Sequence, residues 1–533
     1  MSVSFRMLSL YLLLLLPLLC EASKIAFFVP GMANSQILFN GRVGTELANA
    51  GHNVTLYVTE YYEKGATNKL KIDDRITVVY VNASYGLDGD VLMRKKADSA
   101  FEDRALWDSR EMEVLSFFRD MDKSCDVMLQ NENFISSIEA ESFDLAFTHM
   151  FNFCPIGIIH RTKIPTWIWL NTGALMDNVA EVMGVPLPPS YCTPMMMDAG
   201  SRMYFTERVR SFMGHGIFKY IWKTLTTSET AVFRKHYGPD FPSLLDLAAG
   251  APLVMVNSNE LYDFARPTLA KIVNIGGLGI TTRAKELPEE YKSRIDRARG
   301  HVVFAFGTVA RMHLMPDDWK DAYFHAFEQF PDVQFFVRYE KPQELAGKLP
   351  KNVYVAEWLP QTDLLQHDKA LGLISHAGYN SLQDAIHSGV PILCTPLFGD
   401  QFRNAHLAEE LGIGLSLRKG NIGRDTVVRA VRRLIEDESL HTRSRGLRAM
   451  VQEKPIPPET LVVRWTEFLI QHKRLDNLIP LGSSLNTLVY HSIDVILFLV
   501  ISTTLLSVIL FVIARAVFRC LCRTVSPSKS KWD

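Results

Sequence analysis

The stretch SHAGYNSLQDAIHSGVPILCTPLFGDQ, Ser375 to Gln401, sets a histidine, an asparagine, two carboxylates and an amide between apolar runs. A buried strand ends at Ser375-His376, and Ala-Gly turns the chain. Leu382, Ala385 and Ile386 give the next segment an apolar face, so a helix begins near Gly378 or Asn380. The first turn of a helix exposes unpaired N–H groups and a partial positive charge, which suits a phosphate. Gly378 lets the backbone approach a ligand closely, Ser381 lies at the helix start, and Asn380 and Asp384 share one face. The chemistry that fits is nucleotide reading, with His376 and Asn380 at the phosphates and Asp384 accepting ribose hydroxyls. Residues 375–384 alone fit an ordinary strand-to-helix turn with a capping asparagine equally well.

Neighbouring residues extend the pattern. PILCTPLFGDQ is a second strand ending at Asp400-Gln401, and doubly wound folds bind ligands at the carboxyl ends of their strands. A carboxylate beside an amide suits sugar hydroxyls. Upstream, Trp358 offers a flat apolar face for a base, with Gln361 three residues on.

The elements that must hold these residues are strands alternating with helices, an α/β class built from parallel sheets. Expected strands in the first half are Lys24 to Pro30, Asn53 to Thr59, Ile76 to Val81, Phe143 to Met150 and Ile164 to Asn171. Those in the second half are Pro252 to Ser258, His301 to Gly307, Val333 to Tyr339, Ala370 to His376 and Pro391 to Leu397. Two doubly wound sheets follow. Phe39, Val43, Leu47 and Ala50 recur at helical spacing, so a helix runs from about Ser35 to Ala50 and Gly51 ends it. Periodicity gives way to glycine and charge between Gly276 and Pro288, which marks the boundary between the two halves.

The 533 residues, 47% hydrophobic with a formal net charge of -1, suffice for two or three domains, and interspersed charge calls for no nucleic acid. Residues 1–22 carry Arg6, an apolar run from Leu8 to Leu19 broken by Pro17, and small residues at Ala22 and Ser23, the pattern of a signal peptide. Residues 495–514 are uncharged and long enough to span a bilayer as a helix. Asp494 precedes them and Arg515, Arg519, Arg523, Lys529 and Lys531 follow, so the 515–533 tail faces the cytosol and the body the lumen, a single-pass type I topology. Lys529 and Lys531 resemble a dilysine signal for return to the endoplasmic reticulum; a generic basic tail is the alternative. Cys20 leaves with the signal, and Cys520 and Cys522 lie beside the membrane. Cys125, Cys154, Cys192 and Cys394 are either buried apolar residues or include one disulfide pair. Asn53-Val-Thr and Asn82-Ala-Ser are glycosylation sequons. Asp88, Asp90, Asp120 and Asp122 suggest metal pairs only superficially and are read as solvated surface.

Trp358-Leu-Pro-Gln361, His376-Ala-Gly378-Tyr-Asn380-Ser381, Asp384, Pro391 and Asp400-Gln401 together resemble the signature of the UDP-glycosyltransferases, in particular the animal UDP-glucuronosyltransferases. The resemblance implies a GT-B fold, two Rossmann-like domains facing a cleft. Residues 23–275 would then bind the lipophilic acceptor and 276–455 the UDP-sugar, with 456–490 returning toward the first domain through a helix from Pro458 to Leu475. Leu461, Trp465, Phe468 and Leu469 form that helix's apolar stripe. By position, Trp358 stacks on uracil, Gln361 bonds the nucleoside and Asp384 holds the ribose. His376, Asn380 and Ser381 hold the diphosphate, and Asp400 and Gln401 hold the sugar. Thr308, after Gly307, and Arg338 also match positions near the donor. The family has glutamate where this chain has Asp384, and glycine where it has Ala377 or Ser381.

The resemblance further implies an inverting transfer in the endoplasmic reticulum of glucuronate or glucose from UDP-glucuronate or UDP-glucose. The acceptor is a small lipophilic hydroxyl, and no cofactor or metal beyond the co-substrate takes part. A homo- or hetero-oligomer is compatible with it. The catalytic base does not carry over, because Gln36 stands at the family's histidine position and His149 at that of its aspartate. Either His149 serves as base while Gln36 positions the acceptor, or an acidic acceptor such as a phenol reacts with little help, or the chain binds without catalysing. A silent UDP-sugar or lipophile binder, or a partner of active relatives, is thus the alternative function. An epimerase is disfavoured, since PGMANSQ and no G-x-G-x-x-G follows the first strand.

Overall fold

A computed structural model describes residues 22–63, 70–102, 120–280 and 284–524. The signal-peptide residues and the lysines at 529 and 531 lie outside the described residues, apart from Ala22. The chain groups into one compact unit ending at Ile479 and a second beginning at Pro480.

Two sheets, parallel throughout, make up the first unit. The first contains β1 (Lys24–Pro30), β2 (Asn53–Glu60), β3 (Thr77–Asn82), β4 (Leu145–His149), β5 (Trp167–Asn171), β6 (Leu253–Val256) and β7 (Ile272–Asn274), in the order β3-β2-β1-β4-β5-β6-β7. The second contains β8 (Gly300–Ala305), β9 (Val333–Arg338), β10 (Val353–Ala356), β11 (Ala370–Ser375), β12 (Ile392–Cys394) and β13 (Gly414–Ser416), in the order β10-β9-β8-β11-β12-β13. Both orders reverse beside their first strand, at β1/β4 and β8/β11, and such switch points open a crevice at the strands' carboxyl ends.

The central strands are legible because helices cover both faces, leaving apolar runs such as IAFFV and HVVFA buried throughout. Three strands not anticipated, β7, β10 and β13, have only three or four residues each and lie at sheet edges. The helix expected from Ser35 to Ala50 spans Asn34–Asn49, burying Ile37, Phe39, Val43 and Leu47; each such side chain contributes roughly 1.5–3 kcal/mol. Gly51 ends it at φ +94°, where a side chain would be strained.

The return helix spans Pro458–His472. Its buried face is rotated from the expected stripe: Val462, Thr466 and Leu469 are buried, Leu461 and Trp465 half-buried, and Phe468 is exposed. The described residues between β3 and β4 and between β5 and β6 are largely helical, as Gly89–Ser99, Met121–Gln130, Glu132–Glu141, Asp177–Met183 and the 33-residue helix Phe205–Tyr237. Asp88 caps the first of these by accepting from the N–H groups of Asp90 and Val91, a structural role.

In the second unit the apolar helix runs from Ile493 to Thr524 and its Ile493–Cys522 segment is long and apolar enough to cross a membrane. Residues 515–524, expected to belong to the tail, continue this helix.

Candidate functional site

The helix Tyr379–Ser388 starts at the carboxyl end of β11, and no side chain caps its first turn. Gly378 is its N-cap, Asn380 is exposed there, and Ser381 is almost fully buried, so Ser381 offers an anion its backbone N–H. His376 lies between two glycines, for a Cβ on Gly307 or Gly378 would sit 2.7 Å from its Cε1. Burial, with the nearby positive charge of Arg338, lowers the His376 pKa to about 4, so the imidazole is neutral and donates from one nitrogen. Ala377 holds φ +63°, a left-handed conformation that favours glycine, and the Asn404 amide donates to its carbonyl at 3.0 Å.

Trp358 is 68% exposed, with the Arg338 guanidinium 5.1 Å from its ring centroid. Arg338 is fixed in turn by hydrogen bonds to the carbonyls of Gly307 and Glu357. The Gln361 amide donates to Asp384 at 2.8 Å, joining the two residues expected to read the nucleoside. Burial raises the Asp384 carboxyl to about 6, opposed by the Gln361 hydrogen bond and the Arg42 charge. Thr308 is exposed in the turn after β8.

Asp400 accepts from the Asn404 amide at 2.8 Å, and burial raises its pKa. Gln401 is buried, and its Oε1 accepts from the N–H groups of Leu397 and Phe398 at 2.9 and 3.1 Å. Its carbonyl shapes the loop after β12, leaving the amide NH₂ as the part a sugar could meet.

Residues at the ends of β5 and β6 hold this helix from the other sheet, and the sequence reading missed them. Asn257 donates to the Thr172 carbonyl at 3.0 Å and approaches the Asn380 Oδ1 at 3.5 Å. Gln383 donates to the Asn257 carbonyl at 2.8 Å, and the Ser258 and Tyr379 hydroxyls bond at 2.6 Å. Below them Arg403 and Asp263 form a buried ion pair at 2.5 Å. Their signal was position alone, directly after buried strands.

On the acceptor side, Gln36 lies in the first helical turn and its Oε1 accepts from the Thr172 hydroxyl at 2.5 Å. His149, the last residue of β4, is 1% exposed and its Nδ1 accepts from the Phe151 N–H at 3.2 Å. The proton of the neutral ring is therefore on Nε2, and the basic lone pair is occupied. Burial lowers its pKa to about 3. Of the three readings of the catalytic base, both observations disfavour the one in which His149 accepts the acceptor's proton.

Cys125 and Cys154 form a disulfide, while Cys192 and Cys394 are buried thiols. Asn53 and Asn82 are both exposed.

The chain matches the sequence model of the family described as UDP-glucoronosyl and UDP-glucosyl transferase over residues 27–530. It belongs to that family. It is 27% identical over 464 residues to UDP-glucosyltransferase 2 of Dactylopius coccus, covering 86% of this chain and 85% of that one. It is 28% identical over 379 residues to UDP-glucuronosyltransferase 1A3 of Homo sapiens, covering 71% and 70%. The crystal structure of the glycotransferase of kitacinnamycin aligns with TM-score 0.58 at 16% identity, over 85% of this chain and 100% of that one. The fold of this UDP-glycosyltransferase is thus GT-B, with the site described above where its two sheets meet.

Proposed function

We propose that this UDP-glycosyltransferase moves glucuronate or glucose, with inversion, from a UDP-sugar to an acidic hydroxyl of a small lipophilic acceptor. The observation that carries the reading is the uncapped helix start at Tyr379 beside the Gln361–Asp384 pair and exposed Trp358. Uracil stacks on Trp358, the ribose hydroxyls meet Asp384, and the diphosphate lies against the helix amides, Asn380 and neutral His376. Thr308 and Arg338 border it, and Asp400 and Gln401 hold the hexose. The same amides stabilise the leaving diphosphate as the anomeric bond breaks.

Gln36 sets the acceptor class. Its carbonyl is taken by Thr172, so the amide hydrogens face an incoming acceptor and orient its oxygen without accepting its proton. Phenols, with pKa near ~10, supply their own anion far more readily than aliphatic alcohols. Incubation with labelled UDP-glucuronate and UDP-glucose against phenols and alcohols tests this. Sugar transfer confined to acidic acceptors supports the reading; UDP binding without any transfer supports the silent alternative.

The compartment proposed is the lumen of the endoplasmic reticulum, with the C-terminal helix as anchor. The Cys125–Cys154 disulfide supports an oxidising lumen, and exposed Asn53 and Asn82 are accessible for glycosylation there. The basic residues after the span and the lysines at 529 and 531 agree with that orientation.

A further inference from the structure

The last strand of the second sheet, β13, leaves an open edge, and beside it lies a basic groove of about 430 Å³. The end of the helix Gln401–Glu410 and one face of the helix Arg424–Glu436 line it together with residues 415–418. Val427, Val431 and Leu434 bury the core side of the second helix. That leaves Arg429 and Arg433, four residues apart and exposed, on a shared face at the groove. Ser416 and Arg418 line it from the strand. None of the residues assigned above to the UDP-sugar takes part.

The fold leaves several of the groove's polar groups unused. Ser416 Oγ and Arg418 Nη1 are buried without a hydrogen-bond partner among the described residues, although such atoms are ordinarily paired. The other arm of Arg418 is engaged, its Nη2 lying 3.0 Å from the Asp198 carboxylate on the segment between β5 and β6. Arg433 meets Asp437 at 3.3 Å in an exposed pair, worth little in water. Arg429 has no ion pair or hydrogen bond among the described residues. The Leu417 N–H bonds inward to the Cys394 carbonyl at 2.8 Å, so strand alternation turns the Ser416 N–H toward the open edge. One carboxylate, Glu409, lines the groove against the guanidinium groups of Arg418, Arg429 and Arg433.

Guanidinium forks, a hydroxyl and an outward N–H in one groove suit an oxyanion with several acceptor oxygens, and the excess of positive charge selects a multiply charged anion over a single carboxylate. We propose that this groove is a second anion site, separate from the donor site, and that it takes a phosphate-class ligand, a phosphate monoester or a pyrophosphate. The ligand's oxygens accept from Arg418 Nη1, Ser416 Oγ and Arg429, and Arg433 exchanges part of its contact with Asp437 for them. Because Arg418 also holds Asp198, an occupied groove ties the edge of the second sheet more firmly to the first.

The test is calorimetric titration of the full chain with inorganic pyrophosphate, with UDP in excess to fill the donor site. One saturable site is expected, weakened roughly tenfold or more by Arg429→Ala with Arg433→Ala. Arg429→Lys with Arg433→Lys keeps the charge without the fork and retains part of the affinity. Both side chains are exposed, so the alanine pair should leave the thermal midpoint without anion where the parent has it. Pyrophosphate then raises that midpoint in the parent and not in the alanine pair. Ser416→Ala weakens binding from the strand side alone. Glucose 6-phosphate and vesicles containing phosphatidate, titrated in turn, tell a soluble ester from a lipid headgroup, and binding of either that is lost with the two arginines supports the site. Pyrophosphate binding that vanishes when UDP is present overturns the proposal, assigning the anion to the donor site. Binding that is absent, unsaturable or indifferent to the alanine pair overturns it as well. The same titration without UDP still loses one binding event with the alanine pair, so failure of the UDP reading leaves this test intact.

Discussion

The Thr172 hydroxyl donates to the Gln36 side chain across the gap between β5 and the first helix, at 2.5 Å. That bond engages the amide oxygen, which is in any case too weak a base to take a proton near neutral pH, so on the proposed reading Gln36 can orient the acceptor but not deprotonate it. Rates should therefore rise with acceptor acidity and with pH until the acceptor is ionised. Gln36→His introduces a titratable group at this position. It should raise turnover of an aliphatic alcohol, within the ~10²–10⁴ range of a positioned base, and change a nitrophenol little. kcat/KM on the two acceptors checks this.

His149 should contribute no inflection to the pH–rate profile near its ordinary pKa, because its ring stays neutral down to about 3. His149→Ala leaves the half-buried Phe151 N–H without its acceptor. The expected loss is stability, ~1–3 kcal/mol, with kcat on a phenol retained. Denaturant unfolding and turnover, measured together, separate the two effects.

On the proposed reading Asp384 binds ribose hydroxyls as a carboxylate, and burial raises its pKa to about 6. KM for the UDP-sugar should rise as pH falls through 6. Asp384→Asn should have a raised KM that no longer varies in that range, with kcat on a phenol less affected. Initial rates from pH 5 to 8 decide it.

The clustering of the candidate donor residues was legible because they are near neighbours in sequence and sit at ends of buried strands. The acceptor side was not. Thr172 and Asn257 are brought to Gln36 and Asn380 only by the order of β1, β4, β5 and β6, and no local spacing encodes that order. The return helix shows a finer failure: Val462 and Thr466 turn inward while Phe468 rests on His472 at 4.3 Å, a choice made by the partner helix Asn34–Asn49. Cys125 and Cys154 carry no pairing signal either, since helix packing decides which thiols meet.

Glu229 is 2% exposed and burial lifts its carboxyl from 4.5 to about 8, with Asp122 adding to the rise. Its raised pKa means the folded chain keeps a proton that the unfolded chain has released. Stability is then highest below about 4.5 and falls as pH rises toward 8, by up to about 4 kcal/mol. Glu229→Gln removes this dependence. Its thermal midpoint should match that of the parent in acid and exceed it by a growing margin as pH rises from 5 to 9.

Cys125 and Cys154 close a loop of 29 residues, which stabilises by roughly 3–4 kcal/mol through the unfolded chain. The double serine variant should unfold at lower denaturant. The parent chain isolated from membranes should run faster on a non-reducing gel than on a reducing one.

Calorimetric titration of the folded chain with uridine diphosphate tests the site most directly. Association at one site, weakened at least tenfold by Trp358→Ala and again by Asp384→Ala, is the predicted result. Absence of heat, or binding that ignores both substitutions, would contradict the assignment of the donor to the Tyr379 helix start.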